Sequence, residues 1–291
     1  MWLRSIWHKP KRSLNKTSPL SRFNNLGQRL LTAVVGAAVI ISAIYFSAWA
    51  YFAIFCIICV MTQWEFYKLV GLDGMIPLKT WGTFCGFVLF ALTFLDSQQL
   101  IKPEVYFVLF PLFSFIFFIK LYKRDEKKPF TNIAFTFLGI MYVALPFSLL
   151  HFVVFSPGYY SWQILIGCLL LQWSSDVGAY FAGVSFGKTK LFERVSPKKS
   201  WEGSIGGTLL ALLMGFGLSH FFEDLQLWQW LCIAGIIVIA GTYGDLVESL
   251  FKRSIEIKDS GASIPGHGGF LDRFDSLLLS APFIIAFLKI F

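Results

Sequence analysis

Long apolar runs separated by short polar gaps dominate the chain. The runs lie near 80–95, 104–120, 132–154, 161–186, 203–222, 228–250 and 274–291, with Pro103, Pro129, Pro157–Gly158 and Pro197 marking the gaps. Each run predicts a membrane-crossing helix. Ahead of them, Leu30–Val60 carries no charged residue. As one straight helix this run would reach about 46 Å, against a hydrocarbon core of about 30 Å. It therefore reads as one strongly tilted helix or as a hairpin of two short ones.

The distribution of cations decides between the two, because cytoplasmic loops collect Lys and Arg. Two helices in Leu30–Val60 bring the total to about nine spans. A cytoplasmic N-terminus then gathers the basic loops on one side: Lys68 and Lys79; Lys120, Lys123, Arg124, Lys127 and Lys128; Lys188, Lys190, Arg194, Lys198 and Lys199; Lys252, Arg253, Lys258 and Arg273. Lys102, Lys289, Glu223 and Asp224 fall on the other side. A single helix would set every later basic loop opposite the basic tail. The expected fold is an all-α polytopic membrane protein of about nine transmembrane helices with its N-terminus in the cytoplasm.

Residues 1–26 hold six cations and no acid, with Pro10 and Pro19 against stable structure. This tail is expected to lie on anionic headgroups, and a transit peptide is the other reading. Residues 27–155 read as N-terminal transmembrane helices. Residues 156–291 read as the region that carries chemistry, with polar loops 187–202 and 251–273 on the cytoplasmic face.

Composition agrees with this reading. Of 291 residues, 56% are hydrophobic and only 14% charged, with a mean hydropathy of +0.65, which excludes an ordinary soluble domain. The net charge of +8 does not point to nucleic acid, since its cations are scattered over short loops between apolar spans. The five cysteines all lie inside apolar runs. Cys56 and Cys59 form a C-x-x-C without a companion pair or histidine, so they read as small buried residues rather than a redox or metal site.

Candidate chemistry concentrates in Ser249–Asp275, where two Lys, two Arg, four carboxylates, His267 and four glycines interrupt the greasy chain. Pro265 and the glycines bar a long regular helix, and a glycine-rich backbone can approach phosphates closely. Carboxylates in the same loop would repel an anion unless a metal ion lay between them, and Mg²⁺ commonly takes one or two carboxylates plus substrate phosphates.

Further candidates lie elsewhere. Asp176 falls within a span, on one helix face with Gln172 and Tyr180; an intramembrane carboxylate is expected to face protein, water or an ion. Asp245 and Glu248 share a face at the end of the span near 228–250, one turn before Lys252, so an ion pair from Glu248 to Lys252 is the plain structural alternative. The loop 185–203 leads through Ser196-Pro197-Lys198-Lys199-Ser200 and Glu202-Gly203 into an apolar helix, a setting suited to phosphate. His267-Gly268-Gly269 is like an oxyanion loop, but the chain has no G-x-S-x-G nucleophile elbow.

Ser249-x-Phe251-Lys252-Arg253, Lys258-Asp259, Gly261, Ile264-Pro265, His267-Gly268-Gly269 and Asp272-Arg273-Phe274-Asp275 together resemble the signature of the phosphatidate cytidylyltransferases, or CDP-diacylglycerol synthases. Asp176 through Gly183, Phe186-Gly187-Lys188 and the Ser196–Gly203 stretch are similar to that family's second block, with Ser200 where many relatives carry Thr. The likeness is detailed over about 160–291. The first half matches only as a run of membrane helices.

The resemblance implies conversion of CTP and phosphatidate to CDP-diacylglycerol and pyrophosphate with Mg²⁺, with a second metal or a monovalent cation left open. It implies catalytic roles for Asp245, Asp272, Lys258 and Asp176. Metal ligation falls to Asp245 and Asp272, with Asp176 and Glu248 as further candidates. Substrate binding falls to Lys198, Lys199, Ser200, Lys252, Arg253, His267, Gly268, Gly269 and Arg273. It also implies a homodimer among membrane lipids. CTP being cytosolic, the active site is expected on the cytoplasmic side, by default of a bacterial inner membrane. Two rival readings stand beside this one. A cation- or proton-coupled transporter would use the intramembrane carboxylates, and a related enzyme would activate another lipid phosphate.

Overall fold

A computed structural model describes residues 19–124, 126–257, 260, 261 and 268–291, and for 19–26 and 28–30 the backbone alone. Lys258 and His267 thus lie outside the described residues. Among those described, the chain forms nine helical rods and one short hairpin. The rods are α1 (Pro19–Phe46), α2 (Ala48–Leu72), α3 (Lys79–Ser97), α4 (Leu109–Leu121, entered through a 3-10 turn at Pro103–Val108), the compound rod α5 (Pro129–Gly139) and α6 (Leu145–Val154), α7 (Trp162–Phe186), α8 (Trp201–Phe221), α9 (Leu227–Ser254) and α10 (Leu271–Ile290). Seven rods are long and apolar enough to cross a membrane; the others are α1, whose apolar stretch Leu31–Phe46 is shorter, and α10, whose two ends carry charge. This is an integral membrane protein.

The apolar run Leu30–Val60 is two helices, as its length and the charge pattern required. The chain turns at Ser47, which is extended (φ −169°) and accepts a hydrogen bond from Ala50 N at 3.1 Å, capping α2. The second helix does not stop at Val60 but continues to Leu72, carrying Glu65 into the protein interior. In the rod 129–154, Pro146 lacks an N–H and its ring crowds the preceding turn. The helix widens into a π turn at Ile140–Ala144 just before it.

The core divides in two. One cluster, rich in Tyr51, Phe55, Phe66, Phe90, Phe94 and Phe147, ties α1–α7 to α10. The other surrounds fully buried Trp230 and joins α6–α10. The pair α7–α8 packs backbone to backbone: a Cβ on Gly178 would lie 2.6 Å from the carbonyl oxygen of Gly206. Small residues at such a crossing let two membrane helices approach closely.

One departure from an all-helical expectation lies in the loop between α7 and α8. Lys190–Phe192 (β1) pairs antiparallel with Ser196–Ser200 (β2), a hairpin that folds the loop back and delivers Lys198, Lys199 and Ser200 to the start of α8. The polar stretch expected over 251–273 is also shorter than its sequence suggested. Helix α9 runs on to Ser254 and α10 starts at Leu271, which sets Lys252 and Asp272 on helical turns.

Candidate active site

The C-terminal ends of α7 and α9, the strand β2 and the N-terminal ends of α8 and α10 meet at one end of the bundle around a cavity of about 380 Å³. That is within the usual range for a small-molecule site. Its walls carry Gln172 and Asp176 from α7, Lys198, Lys199 and Ser200 from β2, Asp245 from α9, and Asp272 and Asp275 from α10. The sequence separates these groups widely, and the hairpin together with the antiparallel pair α9–α10 brings them together.

Several of these groups are held in place by a neighbour. Ser200 caps α8, accepting from Gly203 N at 3.2 Å. Glu202, in the first turn of α8, accepts from the backbone N–H groups of Lys188 and Thr189, which fixes the base of the hairpin. Lys199 is ion-paired with Asp245 and donates to the carbonyl of Thr242 at 3.3 Å. Gln172 Nε2 donates to Asp176 Oδ1 at 3.1 Å, one turn apart as their spacing required.

Behind the cavity wall, Lys252 Nζ bridges Glu248 Oε2 at 2.5 Å and Asp272 Oδ1 at 2.9 Å. The expected ion pair from Glu248 to Lys252 is present, therefore, and it extends to a second carboxylate. Asp272 also accepts from Ser260 N at 3.2 Å and Gly269 N at 3.1 Å, so among the described residues a lysine and two amides engage its oxygens.

Two of the expected metal ligands, Asp245 and Glu248, lie together with Asp275. Oxygens of Asp245, Glu248 and Asp275 all lie within 4.8 Å of one another and could hold an ion. The chemistry of the donors supports this. Glu248 is fully buried, and among the described residues its Oε1 has no hydrogen-bond partner. Such a carboxylate is costly to bury without a further cation. Among the described residues, five carboxylates and three lysines gather around the cavity and its rear wall, so a bound cation would offset acidic charge facing an anionic substrate.

Other expected site residues fall outside the cavity wall as described. Arg253 is exposed and donates to the carbonyl of Ile257 at 2.9 Å, closing the end of α9. Arg273 is exposed on the first turn of α10. Gly268 adopts φ +88°, a left-handed conformation open to glycine, and a Cβ there would sit 2.7 Å from Asp272 Oδ2. Gly269 leaves room for Glu65 and Ser260, which a Cβ would strike.

Two residues assigned no chemistry from sequence stand out. Asp275 closes the signature run but had been given no role, and its proximity to Asp245 depends on how α9 and α10 cross. Glu65 lies in the half of the chain that carries no recognisable motif. Its signal was a carboxylate inside a membrane-spanning apolar run, by the same rule that marked Asp176.

Acidic residues that could hold a cation, paired lysines at a helix start and an integral membrane setting make this a candidate site for phosphorylated substrates. Residues 27–291 match the model of the Cytidylyltransferase family. The phosphatidate cytidylyltransferase of Haemophilus influenzae is 33% identical over 284 residues, covering 90% of this chain and 98% of that protein. That of Bacillus subtilis is 32% identical over 273 residues, covering 92% and 99%. That of Staphylococcus haemolyticus is 37% identical over 172 residues, covering 59% and 65%. The chain belongs to the cytidylyltransferase family and is a nucleotidyltransferase that uses CTP.

Proposed function

We propose that this protein transfers the cytidylyl group of CTP to phosphatidate, forming CDP-diacylglycerol and pyrophosphate. The observation that carries this reading is the joint placement, around one cavity beside the membrane, of Lys198, Lys199 and Ser200 with the acidic residues of α9 and α10. A phosphate oxygen of phosphatidate attacks the α-phosphorus of CTP. A new P–O–P link forms there as the bond to the β-phosphate oxygen breaks, and pyrophosphate carries away the electron pair. The attacking phosphate monoester is largely dianionic at neutral pH, its second pKa being about 6, so no strong general base is needed.

What remains for the protein is alignment and neutralisation of two anions that repel one another. Asp245, Glu248 and Asp275 would hold Mg²⁺, which supplies charge neutralisation at the phosphates when bound. Lys198 and Lys199, with Ser200 at the N-terminus of α8, bind phosphate oxygens, where the helix end favours negative charge. Asp272 holds Lys252 against Glu248 and stands as a further candidate ligand. Asp176 lines the cavity from α7 and accepts from Gln172. Lys258 keeps the catalytic role and His267 the substrate-binding role that the resemblance implies.

The positive charge of the loops supports an active site on the cytoplasmic face of a bacterial inner membrane. From there phosphatidate reaches the cavity with its acyl chains still in the bilayer. Purified protein in detergent, given CTP, phosphatidate and Mg²⁺, should release pyrophosphate only when all three are present. Equal turnover with a polyprenyl phosphate in place of phosphatidate would overturn the assignment of the lipid substrate.

A further inference from the structure

We infer that Glu65, on α2, is a positioning residue for the metal site, acting through Ser260 and the first turn of α10. The residue is 5% exposed. It accepts from Ser260 Oγ at 2.6 Å, from Phe270 N at 3.1 Å and from Leu271 N at 3.3 Å. The first amides of a helix have no partner within it, and a buried carboxylate at that end meets both their hydrogen-bonding need and the helix dipole.

The placement matters more than the capping. Asp272 and Asp275 lie on the first turns of α10, directly after the amides that Glu65 holds. Ser260 links the two acids: its hydroxyl donates to Glu65 while its N–H donates to Asp272 Oδ2 at 3.2 Å. Glu65 thereby ties the start of α10 to the motif-poor half of the chain, and the distance from Asp275 to Asp245 and Glu248 on α9 depends on that tie. Gly269 is the matching feature, since any side chain there would push Glu65 or Ser260 aside. Residues that orient metal ligands commonly change metal affinity or activity by about 10–100-fold when mutated.

The inference rests on reading Asp245, Glu248 and Asp275 as a metal site, and its test does not depend on turnover alone. Mn²⁺ binding to the purified full chain, without substrates, is followed by electron paramagnetic resonance for the parent, Glu65→Gln, Glu65→Asp, Ser260→Ala and the Glu65→Gln/Ser260→Ala double variant. CTP turnover and thermal unfolding in detergent are recorded alongside. Glu65→Gln should weaken Mn²⁺ binding and lower kcat each by about tenfold or more. Glu65→Asp should recover part of the loss, and the double variant should be no worse than Glu65→Gln. Parent-like Mn²⁺ affinity in a Glu65→Gln protein that merely unfolds at a lower temperature would overturn the inference. So would additive losses in the double variant. If Glu65→Gln does not fold, Ser260→Ala decides, and unchanged Mn²⁺ affinity there overturns it. A parent that binds no Mn²⁺ refutes the metal-site reading together with this one. A parent that binds Mn²⁺ but does not turn over CTP refutes the proposed reaction and leaves the positioning claim to the Mn²⁺ data.

Discussion

Lys252 bridges two carboxylates drawn from different helices, and replacing it tests how the rear wall of the site is balanced. With Nζ at 2.5 Å from Glu248 Oε2 and 2.9 Å from Asp272 Oδ1, each attraction is about 6 kcal/mol gross at an effective dielectric of about 20. Desolvation of the lysine and repulsion between the two acids offset most of this. The net loss expected from breaking such a buried arrangement is about 3–5 kcal/mol. Side-chain exposures of 12% for Lys252 and 1% for Glu248 leave little water to compensate. Lys252→Met should therefore lower the unfolding temperature in detergent by of order ten degrees, read by intrinsic tryptophan fluorescence during heating. Adding Glu248→Gln should restore much of that loss, because the stranded charge is removed, while catalysis stays impaired. A Lys252→Met protein as heat-stable as the parent would refute the reasoning. So would a double variant that is no better than the single one.

Other consequences follow from particular contacts. Asp275→Asn should raise the Mg²⁺ concentration needed for half-maximal rate by more than Asp272→Asn does, measured by Mg²⁺ titration of turnover; the reverse order would return the second ligand position to Asp272. Gly269→Ala forces a methyl group onto Glu65 and Ser260 and should cost about 1–3 kcal/mol of stability, visible as a lower unfolding temperature together with lost activity. At Glu126, burial alone would raise the carboxyl pKa, but hydrogen bonds from Lys120 at 2.6 Å and Asn132 at 2.9 Å outweigh it and hold it below its usual 4.5. A depressed folded-state pKa means that the pair stabilises the protein above about pH 4.5 and that this is lost as pH falls through the folded value. Glu126→Gln should accordingly be less stable than the parent at pH 7, with the gap closing on acidification. A gap that widened toward acid would contradict the sign.

Much of the helical layout was legible because bilayer thickness and charge sidedness constrain a chain strongly. The break in Leu30–Val60 could be inferred from the basic loops that follow it, and Ser47 supplies its cap. Gln172 and Asp176, one turn apart on α7, and Glu248 and Lys252, one turn apart on α9, could be paired from helical periodicity alone. Contacts between elements were less accessible. That Asp275 rather than Asp272 joins Asp245 and Glu248 depends on the α9–α10 crossing and on backbone amides that occupy Asp272, neither of which leaves a periodic trace. The hairpin 190–200 was hidden for another reason. Its strands are short and polar, and its pairing is fixed by Glu202 holding the backbone at its base rather than by any alternation of apolar residues. Glu65 was obscured by distance, since its partners lie at the far end of the chain.

The central claim is that cytidylyl transfer to phosphatidate takes place in the cavity bounded by Lys199, Asp245 and Asp275. The most direct measurement follows CTP labelled at the α-phosphate, incubated with phosphatidate, Mg²⁺ and either the purified parent or Asp245→Asn checked for intact folding. In the parent, label should pass into the lipid-soluble fraction, while label placed at the γ-phosphate should stay in water as pyrophosphate. In Asp245→Asn the transfer should be lost. Transfer at the parent's rate in Asp245→Asn, or γ-label appearing in the lipid, would contradict the account.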